Sequence, residues 1–407
     1  MPRRRRWTPV KGTRSRVYAP AERLLLGALD LPGRAAHTLW RAVRPRPPVR
    51  PLDPAAVQEV LVLRLDRIGD VLMSLPALQD LRRALPSARI RLAVGRWTEA
   101  IAKSAPVDEV LVWSAPWVGR AAEGADRLVA LAAGARALRV APIDLALDLQ
   151  GDVRANALLA LTGARRRAGY ANTGGAWLLT DVIPLDETVS WVEQNRLAVA
   201  QVLGRPPGIG RPDPLTPADH DFGRQLFASL ALEARRPLVG LHPGGGRRVK
   251  QWDVARWAAV AGRLQREFGA TVLITGGEAD RPLAEGVARG LPARAVDLTG
   301  KLTVRETLAV IAGLDLFLSP DTGPMHMAAA VGTPSVSVFG PSDPARYFSA
   351  PPGPRHVVVR HDLWCSPCNL IRRPPSECAG DEPPECLRLV TVEDVYAAAA
   401  GLLRARA

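Results

Sequence analysis

Short apolar runs alternate with amphipathic helical patterns along most of this chain, in two separate series. The first series starts with VLVLRL (60–65), and the second starts with PLVGLHPG (237–244) after a Pro- and Gly-rich stretch, 204–217. Strands that alternate with helices form a parallel sheet with helices on both faces. A chain of 407 residues is long enough for two such cores. The sequence therefore predicts an α/β protein with two doubly wound domains that face each other across a ligand-binding cleft.

These patterns divide the chain into four segments. They are a basic arm with a Pro-rich linker (1–56), an N-terminal Rossmann-like domain (57–203), a C-terminal Rossmann-like domain (218–390) and a C-terminal helix (391–407). We expect the last helix to cross back to the first domain. No G-x-G-x-x-G follows the first strand, so the usual cradle of a nicotinamide or flavin cofactor is not predicted.

The N-terminal arm carries most of the excess charge of the chain. Residues 1–50 contain 13 Lys and Arg against 2 acids, a net +11 out of a total of +14. Basic residues and leucines share a helical segment there, which favours a helix lying on an anionic membrane surface. A disordered arm and a helix docked on the body are the alternatives. Pro32 and Gly33 interrupt its apolar residues, so we expect the segment not to be a secretory signal, which needs an apolar core of about 7–15 residues.

A membrane-spanning segment and a nucleic-acid-binding surface are less consistent with the sequence. No apolar run approaches the ~20 residues that a membrane-spanning helix needs. Outside the arm, no basic groove interleaved with aromatic residues indicates binding of nucleic acid.

The stretch LDLFLSPDTGPMHMAAAVG (314–332) reads as a buried strand, a tight turn and the start of a helix. We predict that Thr322 caps the first amides of the helix and that Gly323 lets a ligand approach the backbone. A helix start of this kind attracts anions, so a phosphate is the expected guest. Asp321 and His326 add a hydroxyl acceptor and a cationic donor. The alternative is an ordinary loop with a good helix cap.

A second anion site is predicted where the strand 237–244 ends, in HPGGGRRVKQW (242–252). Glycines after a strand turn their backbone amides toward an anion, and the neighbouring basic residues add charge. We expect pyrophosphate to contact Gly244, Gly245, Gly246 and Lys250. A flexible loop beside solvated charges is the alternative. Glu278, after the next strand, is a candidate for binding ribose hydroxyls.

Polar residues also follow two strands of the first domain. Asp70 starts a helix after Gly69, and it is either an N-cap or a carboxylate that takes a proton from an acceptor hydroxyl. Gln150 and Asp152 follow the strand DLALDL, where they would contact sugar hydroxyls or cap the next helix. Because ligands collect at the carboxyl ends of parallel strands, all three lie at a site-forming edge.

Together these motifs resemble those of glycosyltransferase family 9, the heptosyltransferases of lipopolysaccharide core assembly. The resemblance extends over about residues 59–402 and rests on five segments in order: LRLDRIGDVLMSLPAL, LDLQGDVRANALL, HPGGGRRVKQW, ITGGEAD and SPDTGPMHMAAAVGTPSVSVFGPSDP. It implies a GT-B fold with an acceptor-side N-terminal domain and a donor-binding C-terminal domain. It also implies inverting, metal-independent transfer of a sugar, typically heptose from ADP-heptose, onto a cell-envelope glycan.

The resemblance also assigns roles to individual residues. Asp70 matches the catalytic base, and Lys250 matches the lysine that steadies the diphosphate. Asp321, Thr322, Gly323 and His326 match the donor phosphate and sugar site, and Glu278 matches the acid near the nucleoside. The triple-glycine loop, the basic arm and a cysteine-bearing loop depart from the best-known members, which leaves donor and acceptor open.

The implied enzyme needs no cofactor, because the nucleotide sugar is a substrate. Its expected partners are a lipid-linked saccharide acceptor and, through residues 1–50, the inner face of the cytoplasmic membrane, where we expect a cytoplasmic, peripheral monomer. Two other interpretations remain: a nucleotide-sugar epimerase of the same architecture, and a non-catalytic nucleotide-binding protein at the membrane surface. Asp219-His220-Asp221, the one Asp-x-Asp of the chain, is interpreted as a helix cap and not as a metal clamp.

All four cysteines lie in one Pro-rich loop, at Cys365, Cys368, Cys378 and Cys386. The CSPC pair is typical of half a zinc knuckle, but the later spacing is not a standard second half. A structural metal, a redox-sensitive pair and free packed thiols are the three possibilities.

Overall fold

The structure, a computed structural model, describes residues 20–43, 52–118, 127–139, 141–350, 353–372, 374–380 and 382–406. Two compact units form, of which one ends at Pro212 and the other begins at Asp213. The boundary between the two units lies within the Pro- and Gly-rich stretch at 204–217.

The first unit is built on a six-stranded parallel sheet with the strand order β3-β2-β1-β4-β5-β6. Its strands are β1 (Glu59–Arg64), β2 (Arg89–Val94), β3 (Glu109–Val112), β4 (Leu145–Asp148), β5 (Arg166–Tyr170) and β6 (Asp181–Ile183). Its helices are α1 (Pro20–Val43), α2 (Ile68–Ala84), α3 (Glu99–Ala102), α4 (Arg127–Leu138), α5 (Val153–Leu161) and α6 (Trp191–Leu203).

The second unit repeats this arrangement with the order β12-β11-β10-β7-β8-β9. Its strands are β7 (Leu238–Leu241), β8 (Thr271–Ile274), β9 (Val296–Asp297), β10 (Leu316–Pro320), β11 (Ser335–Val338) and β12 (His356–Val359). Its helices are α7 (Pro217–Ser229), α8 (Val254–Phe268), α9 (Arg281–Arg289), α10 (Val304–Ala312), α11 (Gly323–Val331), α12 (Pro344–Tyr347), α13 (Glu385–Arg388) and α14 (Val392–Arg404).

The central strands of both sheets are buried along almost their whole length, and most of their residues are apolar. β4, β7, β10 and β11 are buried at every position, and β1 at every position after Glu59. A strand covered on both faces carries no polar alternation, which is why continuous apolar runs produce parallel sheets here. The sequence pattern and the sheets agree, and the predicted pair of doubly wound domains is confirmed.

Each sheet has one place where the chain reverses its direction of progress. In the first unit this point lies between β1 and β4, and in the second it lies between β7 and β10. The loops that leave neighbouring strands at such a point run in opposite directions and open a crevice at the carboxyl ends of the strands. The polar motifs of the sequence follow these same four strands.

Some elements differ from the sequence-based prediction. The strands β6 and β12 and the helix α6 were not predicted, and Ser190 starts α6 by accepting a hydrogen bond from the Glu193 amide at 3.2 Å. The sequence of residues 97–104 predicts a helix, whereas the structure has a short 3₁₀ turn (Arg96–Thr98) followed by α3. The sequence of residues 120–139 also predicts a helix, and part of that segment lies outside the described residues.

The C-terminal helix α14 packs on the second unit, and the expected crossing to the first domain is wrong. Its apolar face, which includes Val395, Ala399 and Leu403, joins the core formed by β7, β8, β10 and β11. The Trp252 indole also donates a hydrogen bond of 3.2 Å to the carbonyl of Val390, just before the helix. The amphipathic face of α14 therefore finds its apolar partner on the sheet that immediately precedes it in the chain.

The helix α1 is continuous across Pro32. It docks on the first unit, since the buried Asp30 accepts hydrogen bonds from the Gly175 amide (3.0 Å) and the Trp177 indole (3.1 Å). These contacts lie within one turn of Pro32 and hold the segment in place. Among the described helices, none is both long and apolar enough to cross a membrane.

Candidate active site

Lys250 and Asp321 meet at the reversal point of the second sheet. Lys250 ends a 3₁₀ turn in the loop after β7, and Asp321 directly follows β10, the neighbouring strand. The Nζ atom of Lys250 lies 2.5 Å from Oδ2 of Asp321, and their side chains are 15% and 4% exposed. Burial works to raise the pKa of Asp321, but the charge of Lys250 and the hydrogen bonds from Lys250 and Ser342 together hold that pKa below its ordinary value.

The helix α11 begins beside this ion pair. Thr322 is its N-cap residue, but the Thr322 side chain accepts no hydrogen bond from the helix amides, so the predicted side-chain cap is wrong. Pro324 occupies the first turn, where a residue without an N–H group costs the helix no hydrogen bond. A side-chain cap would compete with a bound anion for the same amides, so this helix start is suited to receive one.

His326, in the first turn of α11, faces the protein interior more than the sequence suggested. The side chain is buried, and its Nδ1 atom is hydrogen bonded to Oγ of Ser349. It lies near enough to Asp321 to help lower the pKa of that carboxyl. Ser349 was not predicted, because nothing in its local sequence distinguishes it from other serines.

The glycine loop after β7 is closely covered by Asp280. A Cβ atom added at Gly244 would lie 2.2 Å from Oδ1 of Asp280, whereas one at Gly246 would meet nothing within 4 Å. Asp280 is itself fixed, since its Oδ2 accepts a hydrogen bond from the Gly277 amide at 3.0 Å. Gly244 and Gly245 are buried and Gly246 is exposed, so the loop presents its backbone at one end. Only the absence of a side chain at Gly244 permits this packing.

His242 lies between β7 and the glycine loop, and its own motif predicted no role for it. Its side chain is buried, and burial lowers its pKa, although the charge of Asp280 acts in the opposite direction. A neutral imidazole beside the glycine loop follows from this balance. The quoted segment HPGGG carried the signal, since a histidine directly after a strand lies at the site-forming edge.

Glu278 lies farther along the same sheet edge. It follows β8, which is adjacent to β7, and its carboxylate is exposed and paired with Arg281 at 2.6 Å. The hydrogen bond from Arg281 lowers the pKa of Glu278. An exposed acid one strand away from the glycine loop is in a suitable place for hydroxyls of a nucleoside.

In the first unit, Asp70 lies in the first turn of α2 and not at its N-cap. Arg67 is the N-cap residue, and Oδ2 of Asp70 accepts a hydrogen bond of 3.1 Å from the Arg67 amide. The other oxygen, Oδ1, lies 3.6 Å from NH2 of Arg64, and the Asp70 side chain is 28% exposed. Asp70 is therefore an oriented carboxylate at the end of β1 with one oxygen partly open to a ligand.

Two carboxyl groups that their motifs did not distinguish accompany Asp70: the half-buried Asp66 and the buried Asp148. Burial raises the pKa of both Asp66 and Asp148 to about 7, against the lowering effect of Arg64. Nε of Arg64 lies 3.2 Å from Asp66 and also donates to the carbonyl of Asp70. The buried Arg64 thus interacts electrostatically with three carboxyl groups at the reversal point of the first sheet. The motifs LRLDRIGD and LDLQGD contained the signal, an acid directly at a strand end.

Gln150 and Asp152 follow β4, on the other side of this reversal point. Asp152 caps α5 through the Arg154 amide and also pairs with the Arg154 side chain at 2.6 Å. The carboxylate of Asp152 is therefore already hydrogen bonded to Arg154, which agrees with the capping alternative. Oε1 of Gln150 is buried and has no hydrogen-bond partner among the described residues. Of the two, Gln150 has the atom better able to accept a bond from a ligand.

The remaining polar clusters have structural roles. Asp219 belongs to a capping box at the start of α7 and pairs with Arg305, and although burial opposes it, hydrogen bonds from Arg305 and Thr216 lower its pKa to about 2. The four cysteines are free thiols, with Cys386 buried and the others half-buried. In the part of the chain that the structure describes, no three His, Cys, Asp or Glu side chains are grouped to hold a metal ion.

Two Rossmann-like units in one chain, one with a glycine loop beside the Lys250–Asp321 pair and one with a carboxylate at the sheet edge, have the architecture of the GT-B fold. Similarity to known proteins identifies the family of this chain. Residues 131–375 match the family model described as Glycosyltransferase family 9 (heptosyltransferase), and the chain belongs to this family. The predicted family membership and transferase activity are confirmed.

Individual relatives agree with this placement. Lipopolysaccharide heptosyltransferase 1 of Pseudomonas aeruginosa is 29% identical over 321 residues, which cover 76% of this chain and 85% of that protein. The solved structure of E. coli ADP-heptose lipopolysaccharide heptosyltransferase II matches with a TM-score of 0.67 at 22% identity, covering 86% of this chain and 100% of that one. E. coli heptosyltransferase WaaC with ADP-2-deoxy-2-fluoro heptose matches with a TM-score of 0.60 at 24% identity, covering 75% and 94%.

Proposed function

We propose that the protein transfers heptose from ADP-heptose to a lipopolysaccharide-core-type or similar cell-envelope acceptor, with inversion at the anomeric carbon and without a metal ion. It acts on the inner face of the cytoplasmic membrane, where a lipid-linked acceptor is available. The observation that carries this proposal is the Lys250–Asp321 ion pair at the reversal point of the second sheet. The relatives named above as ADP-heptose enzymes, or solved with an ADP-heptose analogue, support the choice of donor.

The second unit supplies the groups that a nucleotide diphosphate requires. Lys250 is charged and held in place by a buried carboxylate, so it is preorganised before the donor arrives. The glycine loop and the start of α11 add backbone amides from the two strands that flank the same crevice. Glu278, one strand away, is at a suitable place for the ribose.

The same groups favour the reaction itself. As the bond between the anomeric carbon and the diphosphate oxygen breaks, negative charge accumulates on the departing ADP. Lys250 and the amides stabilise that charge more than the charge of the bound donor, which lowers the barrier. Because fixed donors already perform this role, we expect transfer to proceed without a divalent cation.

Asp70 is the proposed general base. The acceptor hydroxyl attacks the anomeric carbon from the face opposite the diphosphate, a new C–O bond forms, and the hydroxyl proton passes to Asp70. The Arg67 amide holds Oδ2 of this carboxylate, so Oδ1 is the atom that would take the proton. A single displacement of this kind inverts the anomeric configuration.

Incubation with labelled ADP-heptose and a deacylated lipopolysaccharide-core acceptor tests the reaction. We expect a heptosylated acceptor and ADP, with an inverted anomeric centre by NMR and unchanged rates in EDTA. Release of free sugar or of an epimerised nucleotide sugar would contradict transfer. A requirement for Mg²⁺ or Mn²⁺ would contradict the metal-independent step.

A thermal-shift comparison of ADP-, GDP-, UDP- and dTDP-sugars tests the donor. We expect stabilisation by ADP-heptose and ADP, and a loss of this stabilisation in Lys250→Ala because the diphosphate loses its cation. A larger shift with another nucleotide would replace the proposed donor.

Asp70→Asn tests the base. We expect donor binding to persist and transfer to fall by about 10²–10⁴-fold, as is typical when a general base is lost. Asp394→Asn is a matched control, because Asp394 occupies the same capping-box position at the start of α14. Near-normal turnover in Asp70→Asn, or an equal loss in both variants, would reduce Asp70 to a helix-capping residue.

A further inference from the structure

The helix α1 is fixed to the first unit along one side. Asp30 is 4% exposed and accepts from the Gly175 amide and the Trp177 indole, while Arg34 pairs with its second oxygen at 3.2 Å. Gly33 lies directly against the Trp177 ring, since an added Cβ would be 2.3 Å from it. The helix is therefore an attached element with a defined rotation about its axis.

The opposite side of α1 exposes a row of leucines. Leu24, Leu31 and Leu39 are 77%, 70% and 70% exposed, and Ala28 and Ala35 between them are exposed as well. Spacings of seven and eight residues keep these leucines within a stripe about 80° wide. The residues that dock the helix lie about 100° or more away around its axis. We name Leu24, Leu31 and Leu39 the leucine stripe.

Charge indicates what covers the leucine stripe. The helix lies within the segment 1–50, which carries a net +11 from 13 Lys and Arg against 2 acids. Pairing with a second copy would bring two such segments together and cost repulsion. An anionic lipid surface offers negative headgroups to the basic residues and an apolar layer to the leucines.

We propose that α1 lies in the interface of an anionic bilayer with the leucine stripe inserted, and that Asp30 transmits this orientation to the first unit. The helix then acts as a rigid support and not as a flexible tether. This inference rests on the proposed function for its purpose, which is to present the acceptor-side domain to a lipid-linked substrate. Its physical content, binding to lipid in a fixed orientation, is separate from the reaction.

Cosedimentation of the full-length protein with vesicles tests the stripe. We expect binding to phosphatidylcholine vesicles that contain phosphatidylglycerol, weaker binding in high salt, and little binding to phosphatidylcholine alone. The variant with Leu24→Ser, Leu31→Ser and Leu39→Ser keeps the charge but should lose about tenfold or more in partitioning for each leucine.

The first unit offers a matched control. Leu161, Val182 and Ile209 are also exposed apolar residues, at 52%, 45% and 85%, but lie outside α1. Their triple replacement by Ser should leave vesicle binding unchanged. Equal binding of the stripe variant and the wild type, or equal loss in the control variant, would overturn the proposal. A dimer in sedimentation experiments that the stripe variant alone abolishes would also overturn it, in favour of a second copy.

Asp30→Ala tests the orientation. We expect this variant to bind vesicles like the wild type, because the leucine stripe is intact, but to transfer more slowly to an acceptor embedded in vesicles. Transfer to a soluble acceptor should be unchanged in Asp30→Ala and in the stripe variant. Wild-type rates of Asp30→Ala on embedded acceptor would refute the rigid support. Absence of transfer by the wild-type protein to either acceptor would refute the proposed function and leave the vesicle results standing.

Discussion

Replacing Asp321 by Asn removes the charge partner of Lys250 while leaving the ammonium group largely buried. Loss of one member of a buried ion pair costs about 3–5 kcal/mol, because the remaining charge is neither paired nor hydrated. Lys250 retains 15% exposure at the end of a flexible side chain, so it regains some hydration. We therefore expect Asp321→Asn to lower the free energy of unfolding of the second unit by about 3 kcal/mol, the lower end of that range.

A double-mutant cycle measures the pair itself. Lys250→Met removes the other charge, and the double variant leaves no unpaired ion, so we expect it to be more stable than Asp321→Asn. The coupling energy should be about 2 kcal/mol, within the range of residues in direct contact. Hydrogen exchange of the amides in β7 and β10 is the appropriate assay, since it reports opening of this unit alone.

Two further measurements complete the test. Asp343→Asn is a control in the same unit, because Asp343 caps α12 and Asn is an equally good cap, so the change should stay within about 0.5 kcal/mol. Saturating ADP should recover part of the stability lost in Asp321→Asn, since the diphosphate replaces the missing anion. Additive single substitutions, or an Asp321→Asn variant as stable as wild type, would refute this account of the pair.

Three other predictions follow from individual groups. Burial raises the pKa of Asp148 from 3.8 to about 7, so the unfolded chain binds fewer protons in this range and stability falls as the pH rises through it. Asp148→Asn should therefore gain stability relative to wild type as the pH rises from about 4 to about 7 in urea unfolding, and a pH-independent difference would refute this. Burial, with the neighbouring thiols, raises the pKa of Cys386 to about 12, so mass spectrometry after alkylation at about pH 8 should show Cys386 modified more slowly than Cys365; the reverse order would contradict this burial. Gly244→Ala should weaken ADP binding in calorimetry by displacing Asp280, whereas Gly246→Ala should not. Equal ADP affinities of the two glycine variants would show that the close contact between Gly244 and Asp280 does not affect ADP binding.

The class of fold and the segments that carry the candidate site can be inferred from local sequence patterns. Continuous apolar runs, such as those of β1 and β10, specify buried parallel strands because a strand covered on both faces needs no polar alternation. Turn and helix-start residues after these runs marked the edge where ligands bind. Lys250, Asp321 and Asp70 were identifiable in this way, because the chemistry of each is present in its own short motif.

Which of these residues come into contact depends on how the strands are ordered in each sheet. Lys250 and Asp321 belong to separate loops, and they form a pair because β7 and β10 are neighbours in the sheet although β8 and β9 lie between them in sequence. The same reversal between β1 and β4 collects Asp66, Asp70 and Asp148 around Arg64. Strand order depends on packing between distant segments, which no local pattern encodes.

Tertiary contacts also determine the surfaces on which the helices α1 and α14 pack. The amphipathic pattern of α14 predicted a helix with a buried face, but several surfaces would accept such a face, and the second sheet does so. The continuity of α1 across Pro32 depends on Asp30 reaching Gly175 and Trp177, which lie far away in the sequence. Local sequence specified these helices as amphipathic, and burial against a particular partner determined where each one docks.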